Sequence, residues 1–272
     1  MKLLIPTNPP LDHVRAAFMT HLNYVRRLDD MLSQFRLSVK PKTDVIKKEK
    51  EIGRFVRLEK VTQKSIERDI ELSTEDNAFA VIAAPWFPVK CYYSLYYLES
   101  ILSHLIDGNS YGFGKGGHGG IRKKITELIT DNRMILAVPE LNRAYSLAEI
   151  DAYPPINSGI NARSDFWKKP ECLTSLSGKL MEYKLHDAQS TNKWDLRTKQ
   201  GRKDKAEFIA TKSLMLLDFF FWYRIKANYR DLDYIDFENG ITEQEVLEYM
   251  RTYYSAYLHY RNQLVEQINH LR

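Results

Sequence analysis

The sequence predicts an all-α protein: a helical bundle over residues 76–272, preceded by an N-terminal helical extension over 1–75 and interrupted at about 131–200 by a loop-rich insertion. Three observations carry this prediction. Apolar residues recur every three or four positions through most long segments, which is the period of a helix and not of a strand. Thr242 and Glu245 form a T-x-x-E capping box at the head of the last periodic segment. No period of roughly 20 to 50 residues repeats, so a solenoid is not expected.

The elements follow in chain order. Leu11, Val14, Phe18, Leu22, Val25, Leu28, Leu32 and Phe35 line one side of a first helix over about 10–37. A proline-containing break at 39–43 separates it from a lysine-rich helix running towards 72. Ser73 and Thr74, followed by Glu75 and Asp76, predict a new helix start, because short oxygen-bearing side chains accept from free helix N–H groups. Pro85 and Pro88 interrupt that helix. Residues 89–106 make the best-defined helix of the first half, with Cys91, Leu95, Leu98, Leu102 and Leu105 on one stripe and Tyr92, Tyr93, Tyr96 and Tyr97 flanking it as packing aromatics. A short helix over 121 to about 130 buries Ile121, Ile125 and Leu128. Periodicity fails from 131 to 170, and a weaker helix is expected over 171–187. The segment 208–225 is apolar nearly all the way round and is expected to be the most buried helix. The final helix presents Val246, Met250, Tyr253, Tyr257, Leu264 and Ile268.

Composition bounds the function. The chain has 272 residues, 44% of them apolar, enough for one sizeable core. MKLLIPTNPP holds too short an apolar stretch for a secretory signal, and the longest apolar runs are too short or too interrupted for a membrane span. With only two cysteines, Cys91 and Cys172, neither a disulfide framework nor a cysteine metal site is expected, and a reducing cytoplasm fits best. A net charge of +5 is mild for this length and does not by itself mark a nucleic-acid binder. The cations are clustered, however. Lys40, Lys42, Lys47, Lys48 and Lys50 form one basic stretch, and Arg197, Lys199, Arg202, Lys203 and Lys205 form another. Each reads either as a solvated face or as a contact for phosphates.

Residues 112–120, GFGKGGHGG, concentrate glycines around Lys115 and His118. A P-loop needs G-x-x-x-x-G-K followed by Ser or Thr, after a buried strand. Here Asn109 replaces the first glycine, Gly116 replaces the hydroxyl residue, and a helix precedes the loop. No βαβ unit surrounds it, so a dinucleotide fingerprint fails as well. Two readings remain: a mobile connection, or a phosphate-contacting loop in which Lys115, Arg122, Lys123 and Lys124 supply charge beside a helix N-terminus.

Asp218 lies within LMLLDFFFWY, where an acid requires a partner such as an arginine or a tyrosine hydroxyl. The seven histidines show no metal-ligand spacing, so no metal and no cofactor are predicted. G-x-S-x-G is absent.

Two segments together resemble the HEPN superfamily, helical-bundle domains common in prokaryotic toxin–antitoxin and antiviral defence systems. VKCYYSLYYLESILSHLIDG followed by HGGIRKKITELI is similar to that family's tyrosine-bearing helix, histidine loop and short helix. KANYRDLDYIDFENGITEQEVLEYMRTYYSAYL looks like its R-x-x-x-D-Y turn and capped last helix, with Arg230, Asp233 and Tyr234 in an arrangement one residue shorter. HEPN ribonucleases carry R-x(4–6)-H in the last helix, and neither Arg251 with His259 nor Arg261 with His270 has that spacing. Arg15 and His21 match it, but in the first helix.

The resemblance implies a catalytically degenerate module that binds RNA, DNA or a protein partner encoded nearby. One alternative is an active metal-independent endoribonuclease with His118 as general acid or base, and with Arg230 or a neighbouring lysine stabilising phosphorane charge. Asp233 and Tyr234 complete that candidate set. The other alternative is a scaffold whose tyrosine-rich helices form an oligomer interface, such as that of a homodimer.

Overall fold

The computed structural model describes residues 11–113, 116–153, 158–229 and 240–272. The chain is an all-α bundle built on α1 (Leu11–Ser33), α2 (Glu49–Glu75), α3 (Asn77–Ala83), α4 (Phe87–Asp107), α5 (Gly117–Thr130), α6 (Leu147–Asp151), α7 (Ser158–Asn161), α8 (Glu171–Asn192), α9 (Lys199–Thr211), α10 (Asp218–Tyr229) and α11 (Glu243–Leu271). Among the described residues no helix is long and apolar enough to cross a membrane.

The stripes behave as the sequence implies. Val14, Phe18, Leu22, Val25, Leu28 and Leu32 on α1 are buried, as are Val246, Met250, Tyr253, Tyr257, Leu264 and Ile268 on α11, and the two helices pack together. The capping box is formed: Glu245 N–H donates to Thr242 Oγ1 at 3.2 Å, and Thr242 N–H to Glu245 Oε2 at 2.9 Å. A single apolar core takes residues from α1, α2, α4, α8, α10 and α11, so 1–75 and the rest of the chain share it.

Several boundaries differ from the sequence reading. α2 continues through Ser73, which is buried beside Met250, and the cap of α3 is Asp76, whose side chain accepts from Ala78 N–H at 3.0 Å. Asp76 is extended, with φ −140° and ψ 109°, and that conformation divides the two helices. Pro88 falls in the first turn of α4, where no N–H is needed, so α4 begins at Phe87. The most buried helix is α4, enclosed by α2, α5, α10 and α11, and not the segment 208–225.

That segment is not one helix. α9 closes with Lys212 N–H on Phe208 O, and Ser213–Leu214 pairs as a strand with Tyr145–Ser146 before α10 begins. A ladder to a distant segment removes these residues from the helix, and no local pattern signals it. The 131–170 region likewise holds Met134–Leu136, which pairs antiparallel with Leu37–Val39 in the register Leu37↔Leu136.

Candidate functional site

Tyr92, Tyr93, Tyr96 and Tyr97 occupy adjacent turns of α4, so two rings face inward and two lie at the rim. Tyr92 and Tyr96 are buried, whereas Tyr93 and Tyr97 are half-buried. His118 enters from the first turn of α5. Its ring lies 5.4 Å from Tyr92, 5.3 Å from Tyr93 and 4.4 Å from Tyr96, centroid to centroid. His118 Nδ1 is 3.0 Å from the Tyr92 hydroxyl. α10 closes the cluster: Phe221 packs 5.7 Å from Tyr92, and the Arg224 guanidinium stands 4.8 Å over the Tyr92 ring.

This environment fixes protonation. Burial, reinforced by the Arg224 charge, lowers the His118 pKa from 6.5 to about 4, so the ring is neutral near neutral pH. Burial and the charge of Glu99 raise the Tyr92 phenol well above its ordinary range, so Tyr92 keeps its proton and can donate it to Nδ1. A neutral imidazole accepts protons and stacks; it is not a ready acid.

The row of rings continues along α4. Tyr97 packs 5.3 Å from Phe55 of α2, and Phe55 lies 5.0 Å from Phe113 of the glycine-rich connection. The Arg54 charge acts on Tyr97, whose phenol burial raises. Arg224 therefore stands at the Tyr92 end of the row, and the Arg54 charge is felt at the Tyr97 end.

The connection itself is fastened. Lys48 Nζ donates to Ser110 Oγ at 2.6 Å, His104 Nδ1 lies 2.7 Å from Asn109 O, and Tyr96 Oη donates to Gly112 O at 3.2 Å. Gly112 has φ +82°, and a Cβ there would collide with Ser100. Gly116 has φ +69° at the N-cap of α5, so residues 117–120, expected as loop, are already helical and His118 is a helix residue.

Among the described residues, the expected site residues are not gathered in one place. Lys115, Arg230, Asp233 and Tyr234 lie outside the described residues. Arg122, expected at a phosphate, is buried: Nε and Nη2 donate to Asp218 Oδ1 at 3.0 and 2.8 Å, and Nη1 donates to Glu99 Oε1 at 2.6 Å. This corrects Arg122 from a surface contact to a core residue and supplies the arginine partner that Asp218 requires. Lys124 is largely buried and bridges Asp107 and Glu127, while Lys123 is exposed. Arg197, Lys199, Arg202, Lys203 and Lys205 gather at the start of α9, the end away from Phe208 and Thr211, which approach α5. Arg197 is held by Asp195 at 2.9 Å, and Arg202 Nη1 donates to Arg197 O at 2.9 Å. Arg15 and His21 also part company: Arg15 pairs with Glu245 at 2.6 Å, and His21 is buried against Tyr223.

Arg224 and Phe221 escaped the sequence reading. Their only signal was a lone arginine three residues after an aromatic within FFFWYR. Among the described residues no cluster of His, Cys, Asp and Glu could hold a metal ion. Compared with known proteins, the chain matches no family model, no curated protein and no solved structure.

Proposed function

We propose that the protein is a HEPN-like module, without catalysis of its own, that binds single-stranded nucleic acid on the aromatic row of α4 and acts with a protein partner in prokaryotic defence or toxin–antitoxin biology. The carrying observation is the half-buried pair Tyr93 and Tyr97, with His118 and the Arg224 guanidinium against Tyr93 and the Arg54 charge felt at Tyr97. Rings with partly open faces stack unpaired bases of any sequence, and flanking cations meet the phosphates between them. The helical bundle and its capped last helix are in keeping with the resemblance that suggested the family.

A second reading has one observation in its favour. His118 is neutral near pH 7, the form in which an imidazole accepts a proton as a general base for RNA cleavage. A single experiment separates the two: labelled single-stranded RNA and DNA are incubated with the full chain in EDTA, at low and moderate salt. Binding without cleavage is expected, weakening steeply with salt and falling about tenfold or more in Tyr93→Ala/Tyr97→Ala. Cleavage abolished in His118→Ala establishes the enzyme instead, and neither binding nor cleavage leaves the scaffold reading.

A further inference from the structure

A second concavity lies between α5, α8, α10 and the junction of α9 with the strand Ser213–Leu214, with a volume of about 630 Å³. That is the size of a small-molecule site. Its walls differ in chemistry. Phe208 and Phe221 contribute apolar rings, and Lys123, Lys184 and Lys212 bring three ammonium groups from three separate segments.

Four carboxylates line the groove: Asp131 and Asp187 are exposed to solvent, and the other two are already engaged. Asp218 accepts from Arg122 through Oδ1 and from Met215 N–H at 2.9 Å through Oδ2. Glu127, on one wall, accepts from Lys124 at 3.4 Å. Lys184 donates to Ser213 O at 2.5 Å, and among the described residues its other two protons have no hydrogen-bond partner. Among the described residues, neither Lys184 nor Lys212 has a carboxylate in ion-pair range. Burial, with the nearby charges of Lys212 and Arg122, disfavours the Lys184 ammonium against the pull of Asp218, and an arriving anion would reverse that penalty. Thr126 and Thr211 hydroxyls, which donate back to helix carbonyls, keep lone pairs for ribose hydroxyls or an exocyclic amine.

We infer that this groove binds a nucleotide, its phosphate held by Lys184 and Lys212 and its base laid against Phe208 and Phe221. Phosphate next to a planar ring is the chemistry that paired amines beside half-buried rings recognise, and the Arg224 guanidinium lies 5.3 Å from the Phe221 ring as a further cation. The nucleotide has two sources: a free nucleoside monophosphate, or the phosphorylated end of a strand lying on the α4 face. Phe221 reaches both places, since its ring also packs on Tyr92.

The test is calorimetric titration of the full chain with AMP, GMP, CMP and UMP, with adenosine and inorganic phosphate as controls. Saturable one-to-one binding of at least one monophosphate is expected, about tenfold tighter than adenosine and about tenfold weaker in Lys184→Met. Lys212 is exposed, so Lys212→Glu preserves the fold and is expected to weaken binding equally. No saturable binding to any of the four, or equal affinity in both variants, overturns the assignment. A 5′-phosphorylated trinucleotide that outbinds both its dephosphorylated form and the monophosphates supports a strand end; tighter monophosphates support a free nucleotide. Titrating Tyr93→Ala/Tyr97→Ala keeps the question separate from the stacking face, because this variant is expected to retain monophosphate binding.

Discussion

At the scale of single residues, His118 ties structure to solution behaviour. Its pKa in the fold, about 4, is below the ordinary 6.5 of an unfolded chain. Above 6.5 the ring is neutral in both states and makes no difference. As pH falls from 6.5 towards 4, the unfolded chain takes up the proton first, so stability is lost across that window. Because the ring is only half-buried and solvent screens the effect, the loss by pH 5 is about 1 kcal/mol. Urea midpoints at pH 7 and pH 5 check this: His118→Gln should lose less stability on acidification than the wild type, and an identical loss would show that His118 does not couple to folding. The neutrality of His118 was not readable from GFGKGGHGG, because it depends on tyrosines and an arginine supplied by two other helices. Asp218 was readable, since an acid in an apolar run demands a partner wherever the chain folds. Arg122 was not, because the run IRKK gives no sign which cation turns inward.

Helices showed themselves in the sequence to the extent that their own stripes stabilise them. α1, α4 and α11 carry uninterrupted apolar periodicity, and their burial matches it. The division of 208–225 into α9 and α10 was hidden because it depends on Tyr145 pairing with Leu214 across the chain. The three-residue strand Leu37–Val39 was hidden for the same reason. The glycine-rich connection belongs between these cases: its glycines were evident, but their task is conformational. Replacing Gly112 with Ala forces a side chain into a left-handed backbone and against Ser100. A loss of about 2–3 kcal/mol is expected in chemical denaturation. A variant as stable as the wild type would mean that the connection does not hold this conformation.

Across the whole molecule, Arg122 is the tie among α4, α5 and α10, joining Glu99, itself and Asp218. Tyr260 of α11 adds a hydroxyl donated to Glu99 at 2.9 Å. Removing the cation leaves two buried carboxylates facing one another, so Arg122→Leu is expected to cost about 3–5 kcal/mol. Neutralising the partners in Arg122→Leu/Glu99→Gln/Asp218→Asn should recover part of that loss, measured by urea denaturation. A triple variant no more stable than the single one would place the cost in packing and not in charge.

The pairing of α1 with α11 also bears on how the protein is made. The apolar side of α1 finds its principal cover only when Glu243–Leu271 has been synthesised. During translation the nascent chain therefore carries that surface open to solvent, and the core closes late, as contacts between segments distant in sequence require. Sensitivity to proteases until Glu243–Leu271 emerges is the expected outcome, checked by limited proteolysis of ribosome-bound chains.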